Sequence, residues 1–395
     1  MHITFITYVT PTPDNYRGAS ALSYHLCKYR PNDIDLEIYS FNANEVSQKK
    51  IEDIERKLRV RIHVVAKNKY IDFLFKTHTI FLKNFLPYPF NYYNELSTDV
   101  VNEIKTKNPD GIWVNGDFML KVLNQFSSFK RVMTMPDCVC LYYERLLNDA
   151  WCKQSLFKIF GNKIQQIKNK YLESHYPNKN VVYHLVGEAD KQHLLKINNK
   201  LEAHFIHHPH YNYTDKKQIK FANHKIKILI AGQYNLYMHS AFNEILPQLC
   251  DNEILAKDYS ISFLGKGWDF AISKLKSVGY ETQQIGFVDV YLDEIIKYDI
   301  QLTPISVGTG TKGKVLDALA NGLLVIGTPY AMENIAVENN KSCVIYKDAT
   351  QLISVLKEIP YERAKYEAIA IEGRKCVLTE HNREKISKEL FGFFS

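Results

Sequence analysis

The chain has 395 residues, carries a formal net charge of +7 and is 46% hydrophobic. This length favours two domains, and the apolar fraction is that of a globular protein, which excludes intrinsic disorder. No apolar run is long enough to span a bilayer, and seven cysteines without regular spacing indicate a reducing compartment. The opening residues MHITFITYVT lack a basic segment and a cleavage site. They are typical of a first strand, so we expect a cytoplasmic location.

The positive charge is concentrated in one segment. Residues 47–83 hold ten lysines and arginines against four acidic residues, and the aromatic-rich run FLPYPFNYY follows at 85–93. Basic residues beside exposed aromatic rings suit an anionic membrane surface, and region 47–93 therefore predicts a peripheral contact at the inner face of the membrane. A solvated basic helix followed by an ordinary core segment is the alternative. No motif indicates nucleic-acid binding.

Short apolar runs alternate with helical patterns in the first half, which is typical of a parallel α/β sheet covered on both faces. We predict seven strands, at Ile3–Tyr8, Asp35–Ser40, Arg61–Val65, Gly111–Val114, Arg131–Met135, Val181–Leu185 and Ala203–Ile206. We predict helices between them, at about Ala19–Lys28, Gln48–Leu58, Ser97–Lys107, Ser155–Tyr176 and Glu188–Ile197.

Three residues of this half follow predicted strands, at the edge where open α/β sheets bind ligands. Gly18 lies in a loop with two prolines, and the small residues after it would let a ligand approach the next helix. An ordinary turn explains this loop equally well. Asp117 and Asp137 each lie just past the end of a predicted strand, and capping of the next helix is the alternative for both. The Cys138 and Cys140 pair lacks partner ligands, so we predict no metal site.

Polar residues without apolar periodicity begin near residue 207 and indicate a linker between two domains. We place an N-terminal domain at 1–208, the linker at 209–224 and a C-terminal domain at 225–375. A final helix at 376–395 has an apolar face, so we expect it to dock back towards the first domain. The histidines at 207, 208 and 210 surround a proline, and we interpret them as a strand end and linker instead of a zinc site.

The second half repeats the alternation of strands and helices. We predict six strands, at Ile226–Ala231, Ser260–Leu264, Gln283–Ile285, Ile300–Thr303, Leu324–Gly327 and Cys343–Tyr346. The loops after the first four strands should meet at one edge of the sheet, as a nucleotide site requires.

The stretch PISVGTGTKGKVLDALANG, residues 304–322, carries the clearest functional pattern. A strand, a glycine-containing loop and a helix N-terminus would present several backbone N–H groups to an anion. Two lysines add positive charge, and an aspartate one turn deeper could accept hydrogen bonds from a sugar. The pattern predicts a site for a sugar diphosphate or nucleotide, formed by Gly308, Thr309, Gly310, Thr311, Lys312, Lys314 and Asp317.

The run GTGTKGKVLDALANG resembles the nucleotide-sugar site of family 4 glycosyltransferases with the GT-B fold. Their usual pattern is Gly-x-Gly-Thr-Arg-x-Lys, followed by Val-Leu-Glu-Ala. The residues that match it are Gly308, Gly310, Thr311, Lys314, Val315, Leu316, Ala318 and Gly322. Broader similarity extends to the turn at Gly232, to the turn at Gly265 and to the base-binding turn at Gly286, Phe287 and Val288.

This resemblance implies two Rossmann-like, doubly wound parallel-sheet domains of the α/β class that face a cleft. It implies transfer of a sugar from a UDP- or GDP-linked donor to a glycan or lipid-linked acceptor, with retention of configuration and without a metal or other cofactor. Cell-surface polysaccharide synthesis is the expected setting. Lys312 and Lys314 would stabilise the departing diphosphate, and Asp137 would position or polarise the acceptor. The leaving phosphate can itself take the proton of the acceptor.

Several residues depart from the family pattern. Lys312 stands for an arginine and keeps the charge while losing the bidentate geometry. Asp317 stands for the glutamate that binds ribose, Thr309 for a glutamate near the donor sugar and Leu324 for a proline. Two other functions stay open, the first because it shares the fold and the second because of Thr309 and Asp317. One is a sugar-nucleotide epimerase of the same fold, and the other is a nucleotide-sugar-binding protein without catalytic activity.

Overall fold

The structure is a computed structural model that describes residues 1–15, 19–77, 79–148, 155–215, 219–222, 224–286, 288 and 290–395. The described residues form two compact units. Unit 1 contains those of 1–148, 155–209 and 383–395, and unit 2 contains those of 210–382. Each unit is a parallel sheet with helices, so the predicted doubly wound α/β fold class is confirmed.

Unit 1 contains a parallel sheet of seven strands in the order β3-β2-β1-β4-β5-β6-β7. The strands are β1 His2–Thr7, β2 Asp35–Ser40, β3 Arg61–Val64, β4 Gly111–Asn115, β5 Arg131–Met135, β6 Val181–Leu185 and β7 Glu202–Phe205. The order reverses between β1 and β4, where Thr7 pairs with Asn115. The strands β4, β5 and β6 are buried along their whole length, because core clusters cover both faces of the sheet. All seven predicted strands are present.

Two helices of unit 1 begin at a serine whose side chain caps the first turn. The hydroxyl of Ser97 accepts a hydrogen bond from the N–H of Val100, and Ser155 accepts one from Lys158. The helices are α1 Ala21–Lys28, α2 Gln48–Leu58, α3 Lys69–Lys76, α4 Thr98–Lys107, α5 Leu120–Gln125, α6 Val139–Asn148, α7 Leu156–Ser174 and α8 Glu188–Ile197. Two short 3-10 helices lie at Ile80–Phe85 and Phe90–Tyr93.

Unit 2 contains a parallel sheet of six strands in the order β10-β9-β8-β11-β12-β13. The strands are β8 Ile226–Ala231, β9 Tyr259–Leu264, β10 Glu281–Ile285, β11 Ile300–Thr303, β12 Leu324–Gly327 and β13 Val344–Ile345. All six predicted strands are present. The order has the Rossmann form, and its reversal lies between β8 and β11.

The helices of unit 2 cover both faces of this sheet with two apolar clusters, one of them centred on the buried Trp268. They are α9 Leu236–Asp251, α10 Asp269–Ser277, α11 Tyr291–Ile295, α12 Gly313–Ala320, α13 Pro329–Met332, α14 Ala349–Glu358 and α15 Arg363–Glu380. A short 3-10 helix lies at Glu253–Lys257. In neither unit does a described helix combine the length and the apolar character required to cross a bilayer.

The last segment of the chain divides between the two units. Helix α15 ends at Glu380 in unit 2, and α16, at Arg383–Gly392, belongs to unit 1. There α16 packs against α1, and the ring of Phe391 meets Trp113 edge-on with 5.6 Å between centroids. Both rings are buried. The C-terminal helix therefore completes the core of unit 1.

We expect Phe391→Ala to lower the free energy of unfolding by about 3–5 kcal/mol, because it leaves a cavity beside Trp113. Lys388→Ala, on the exposed side of the same helix, should change it by less than about 0.5 kcal/mol. Urea denaturation followed by circular dichroism measures both. Equal stability of the two variants would contradict a structural role of α16.

Candidate functional site

The reversal of strand order in unit 2 brings two loops to the carboxyl edge of the sheet, one after β8 and one after β11. Because neighbouring helices leave the sheet on opposite faces at such a point, a crevice opens between the loops, and ligands of α/β proteins bind there. The loops after β9 and β10 end at the same edge, because all six strands are parallel. The stretch singled out in the sequence, residues 304–322, begins in the loop after β11.

The loops after β8 and β9 touch each other through their backbones. Gly265 has φ +139°, and a Cβ on it would lie 2.4 Å from the carbonyl oxygen of Gly232. The indole N–H of Trp268 donates to the same oxygen at 2.8 Å. Only glycine allows this approach. The two glycines therefore fix the shape of this edge, next to the position predicted for the nucleotide.

The loop after β11 is attached to its surroundings at both ends. Its glycines, Gly308 and Gly310, have φ values of +139° and +63°, in the region that favours glycine. The N–H of Ser306 donates to the carbonyl oxygen of Tyr237 in α9 at 2.9 Å. The side chain of Asn334 donates to the carbonyl oxygen of Gly310 at 3.0 Å. The loop is thus held in one conformation at the amino end of α12.

Lys312 folds back onto its own loop. Its ammonium group donates to the carbonyl oxygens of Thr309 at 2.8 Å and Gly310 at 2.9 Å. Lys312 is also the residue directly before α12, and its carbonyl oxygen accepts the first hydrogen bonds of that helix. In this structure the side chain shapes the loop, while its charge stays beside the helix N-terminus.

Lys314, Tyr291 and Asp317 lie close together at the start of α12. The ammonium group of Lys314 lies 5.8 Å from the centre of the Tyr291 ring. Surrounding protein lowers the pKa of Lys314 by desolvation of its ammonium group, and the Asp317 carboxylate opposes this shift. Burial, followed by the charge of Asp317, raises the pKa of Tyr291 well above its usual value, and the buried Tyr291 hydroxyl has no described hydrogen-bond partner. An ammonium group, a carboxylate and a phenol hydroxyl without a described hydrogen-bond partner therefore lie together at the start of α12.

Some of the other residues predicted to bind the nucleotide-sugar lie within the described part of the chain, and some lie outside it. Gly286 is exposed, and Val288 and Thr311 are half-buried. Gly18 and Phe287 lie outside the described residues, so their predicted roles stay predictions. Tyr237, Tyr291 and Asn334 were not predicted from the sequence. An isolated tyrosine or asparagine in a loop carries no pattern, and the structure alone shows what each one touches.

In unit 1, two carboxylates meet at the corresponding edge of the sheet. Asp117 follows β4, and Asp137 follows β5. Desolvation, followed by the charge of Asp137, raises the pKa of Asp117 to about 7. The hydroxyl of Tyr176 donates to the carbonyl oxygen of Asp117 at 3.0 Å. The Asp117 carboxyl can therefore gain or lose a proton near neutral pH.

Two further carboxyl groups hold the segment that carries Asp137. Glu173 accepts a hydrogen bond from the N–H of Cys140 at 3.0 Å, and Asp190 accepts one from the N–H of Cys138 at 2.8 Å. Burial raises the pKa of Glu173 to about 8. Sequence reasoning missed this role, although Glu173 is the only acidic residue in α7, whose buried residues are Gln165, Asn169, Leu172 and Glu173. A carboxylate on the buried face of a lysine-rich helix was the available signal.

Within the described part of the chain, no group of three or more histidine, cysteine or acidic side chains is arranged to hold a metal ion. Cys138 and Cys140 are both buried. The main interactions found for them are those with Glu173 and Asp190, which are structural.

No family model and no curated protein sequence matches the chain. Solved structures match it over nearly its whole length. Sucrose-phosphate synthase from Thermosynechococcus elongatus matches with a TM-score of 0.67 and 11% identity, covering 100% of this chain and 98% of its own. Anabaena HepE in complex with UDP-glucose matches with 0.63 and 10%, covering 99% and 98%. The lipopolysaccharide outer core galactosyltransferase WaaB matches with 0.61 and 10%, covering 100% and 99%.

The chain is thus similar in fold to glycosyltransferases of the GT-B type, and the predicted GT-B fold is confirmed. Sequence identities of 10–11% show that the fold is shared and show nothing further about function. Membership of family 4 stays a prediction.

We expect Gly265→Ala to destabilise the protein by about 2–4 kcal/mol, because the added Cβ collides with backbone and φ is positive. Gly286→Ala is the matched control, since nothing lies within 4 Å of a Cβ there. It should cost less than about 1 kcal/mol. Thermal denaturation compares the two. A normal melting temperature for Gly265→Ala would show that the loop contact is dispensable.

A second expectation concerns pH. The pKa of Glu173 is raised from 4.5 to about 8, so the folded state binds a proton that the unfolded chain has released. This group therefore lowers stability as pH rises from about 4.5 to about 8, by about 1.4 kcal/mol per pH unit. Glu173→Gln removes this contribution. The slope of the free energy of unfolding between pH 5.5 and 7.5 should become more positive by about that amount.

Urea denaturation at several pH values measures this slope. The exposed Glu52→Gln in α2 is the control and should leave it unchanged. The buried histidines His25, His184 and His208, whose pKa values are lowered by desolvation, act in the opposite direction in both variants and cancel in the comparison. An unchanged slope in Glu173→Gln would mean that this carboxyl is ionised in the folded protein.

Proposed function

We propose that the protein is a retaining glycosyltransferase. It would move a sugar from a nucleotide-diphosphate donor to a glycan or lipid-linked acceptor, in the synthesis of cell-surface polysaccharide. The observation that carries this proposal is the loop of residues 304–312, which joins the reversal point of the unit 2 sheet to the N-terminus of α12. The complex of HepE with UDP-glucose, in a protein of the same fold, supports a nucleotide-sugar donor. UDP- and GDP-linked donors both suit the site.

The diphosphate would bind at the N-terminus of α12. Backbone N–H groups of residues 308–311 and the dipole of the helix favour negative charge at this position. Lys314 adds a positive charge, and Lys312 keeps the loop in shape through its two carbonyl contacts. When the bond between the sugar and the phosphate breaks, negative charge grows on the departing diphosphate. These groups would stabilise that charge without a metal ion.

The nucleoside would lie on the side of Lys314 that faces away from the diphosphate. Asp317 would accept hydrogen bonds from the ribose hydroxyls, and the buried hydroxyl of Tyr291 would donate to the same ligand. The turn at Gly286 and Val288 follows β10 at the same edge and would contact the base. A shorter carboxylate than the glutamate of the family pattern suits this arrangement, because the tyrosine supplies an additional polar group.

The acceptor would bind at the carboxyl edge of the unit 1 sheet, where Asp137 would position its hydroxyl group. The oxygen of the acceptor forms a bond to the anomeric carbon as the phosphate leaves from the same face. The proton of the acceptor passes to a phosphate oxygen, so no obligatory protein base is required. Asp117, with its pKa near 7, would adjust the charge beside Asp137.

We expect Lys314→Ala to weaken binding of UDP- or GDP-sugars by about tenfold to a hundredfold, because it removes one charged partner of the diphosphate. Isothermal titration calorimetry measures the affinity. Lys357→Ala, on the exposed side of α14, is the matched control and should bind like the parent protein. An unchanged affinity in Lys314→Ala would refute the diphosphate assignment.

Product analysis separates the proposed reaction from its rivals. A transferase releases the nucleoside diphosphate only when an acceptor pool of glycans or lipid-linked sugars is present. An epimerase converts the donor sugar without any acceptor, and a non-catalytic protein binds the donor and leaves it intact.

A further inference from the structure

Large apolar side chains are exposed in two neighbouring segments of unit 1. The first comprises α3 and the 3-10 helix Ile80–Phe85, and the second is the first half of α7. Phe85 is 81% exposed, Leu156 85% and Phe157 78%. The other exposed members are Tyr70, Phe73, Phe81, Leu82, Ile159 and Phe160. We call these two segments together the α7 surface. An exposed apolar group of this size on a folded unit marks an interaction site.

Polar contacts join the two segments into one surface. The ammonium group of Lys168 donates to the carbonyl oxygens of Lys83 at 3.1 Å and Asn84 at 2.7 Å. The side chain of Gln165 donates to the side-chain oxygen of Asn84 at 2.9 Å. The 3-10 helix is therefore fastened along the middle of α7, and its rings share a surface with those of the helix.

The exposed apolar side chains of α7 are not needed to attach the helix to the core of unit 1. The helix is anchored by the buried face that contains Gln165, Asn169, Leu172 and Glu173, whereas residues 155–160 are exposed on every side. Leu156, Phe157 and Phe160 thus extend beyond the part of the helix that packs on unit 1. Leaving them in water forgoes the free energy that burial would provide.

Charge identifies the occupant of this surface. Residues 155–172 contain four lysines, at 158, 163, 168 and 170, and no acidic residue. Residues 79–94 contain Lys83 and likewise no acidic residue, and α3 contains Lys69 and Lys76 against one acidic residue, Asp72. Phenylalanine and leucine interspersed with a large excess of lysine over acidic residues are typical of helices that lie in the interface of anionic bilayers, with the rings at the acyl boundary and the ammonium groups at the headgroups. Protein interfaces are depleted of lysine, which disfavours a protein partner.

We propose that the α7 surface is the site at which this protein docks onto an anionic lipid bilayer. The sequence suggested region 47–93 for such a contact, and the proposed surface shares with it α3 and the 3-10 helix Ile80–Phe85. The apolar residues of α2, Ile51, Ile54 and Leu58, are buried in unit 1 and cannot enter a bilayer. The exposed rings of α7 lie outside region 47–93 and form the rest of the proposed surface, together with the 3-10 helix. This inference does not depend on the donor site of unit 2.

Vesicle flotation of the full-length protein tests the proposal. Vesicles of phosphatidylcholine with about 30% phosphatidylglycerol should carry the protein, and pure phosphatidylcholine vesicles should carry much less, because the lysines then lack a partner. Phe157→Ser with Phe160→Ser should weaken binding by at least about tenfold, because two rings no longer enter the bilayer. The control pair, Ile254→Ser with Tyr361→Ser, removes equally exposed apolar residues from unit 2 and should bind like the parent.

Three results would overturn the proposal. The first is an absence of flotation with anionic vesicles. The second is equal flotation of the two double variants. The third is a dimer of the parent protein that Phe157→Ser with Phe160→Ser dissociates without any vesicle binding by the parent, which would assign the surface to a second copy. Calorimetry with donor sugars, run on the same variant, should show unchanged affinity and keeps failure here distinct from failure of the transferase proposal.

Discussion

The parallel direction of all strands is the constraint on which both units depend. Each connection must cross from one end of its sheet to the other, so every loop that follows a strand emerges at the same edge. The central strands are buried on both faces, and hydrogen bonding and apolar packing fix their register. Where the strand order reverses, two loops separate and leave room between them. In unit 2 this position holds residues 304–312, and in unit 1 the reversal lies beside Asn115, two residues before Asp117.

Strands could be predicted from sequence because burial on both faces makes them short, continuous apolar runs. All thirteen appear in the structure, and runs such as Ile226–Ala231 have the predicted bounds. The division of the C-terminal segment was harder, because α15 and α16 have the same mixture of charged and apolar residues. The apolar face of the last helix predicted that it docks towards the first domain, and its partners in unit 1, helix α1 and the ring of Trp113, became known from the structure. Such a contact joins residues hundreds of positions apart and leaves no local pattern.

The part of the candidate site that could be predicted consists of residues close to one another in the sequence. Gly308, Gly310, Lys314 and Asp317 lie within one loop and one helix, so their spacing alone indicated an anion site. The supporting groups come from elsewhere in the sequence. Asn334 holds the loop from a position after β12, and Tyr291 precedes Lys314 by more than twenty residues. Glu173 and Asp190 support the Asp137 segment in the same way. Tertiary contact, which no spacing rule encodes, assembles this second layer of residues.

The contacts of Lys312 within its loop explain why a lysine can stand where the family pattern has an arginine. An arginine fork would bind a phosphate in bidentate fashion, whereas a lysine is a flexible point charge. Here that charge is directed to the carbonyl oxygens of Thr309 and Gly310, and it stabilises a loop whose glycines would otherwise leave it many conformations. In the proposed function, phosphate binding would therefore fall mainly to Lys314. Desolvation has already lowered its pKa, so a diphosphate beside it would restore the lost stabilisation of its positive charge. Lys312 thus stabilises the loop, and Lys314 is the lysine left to bind the ligand in the proposed function.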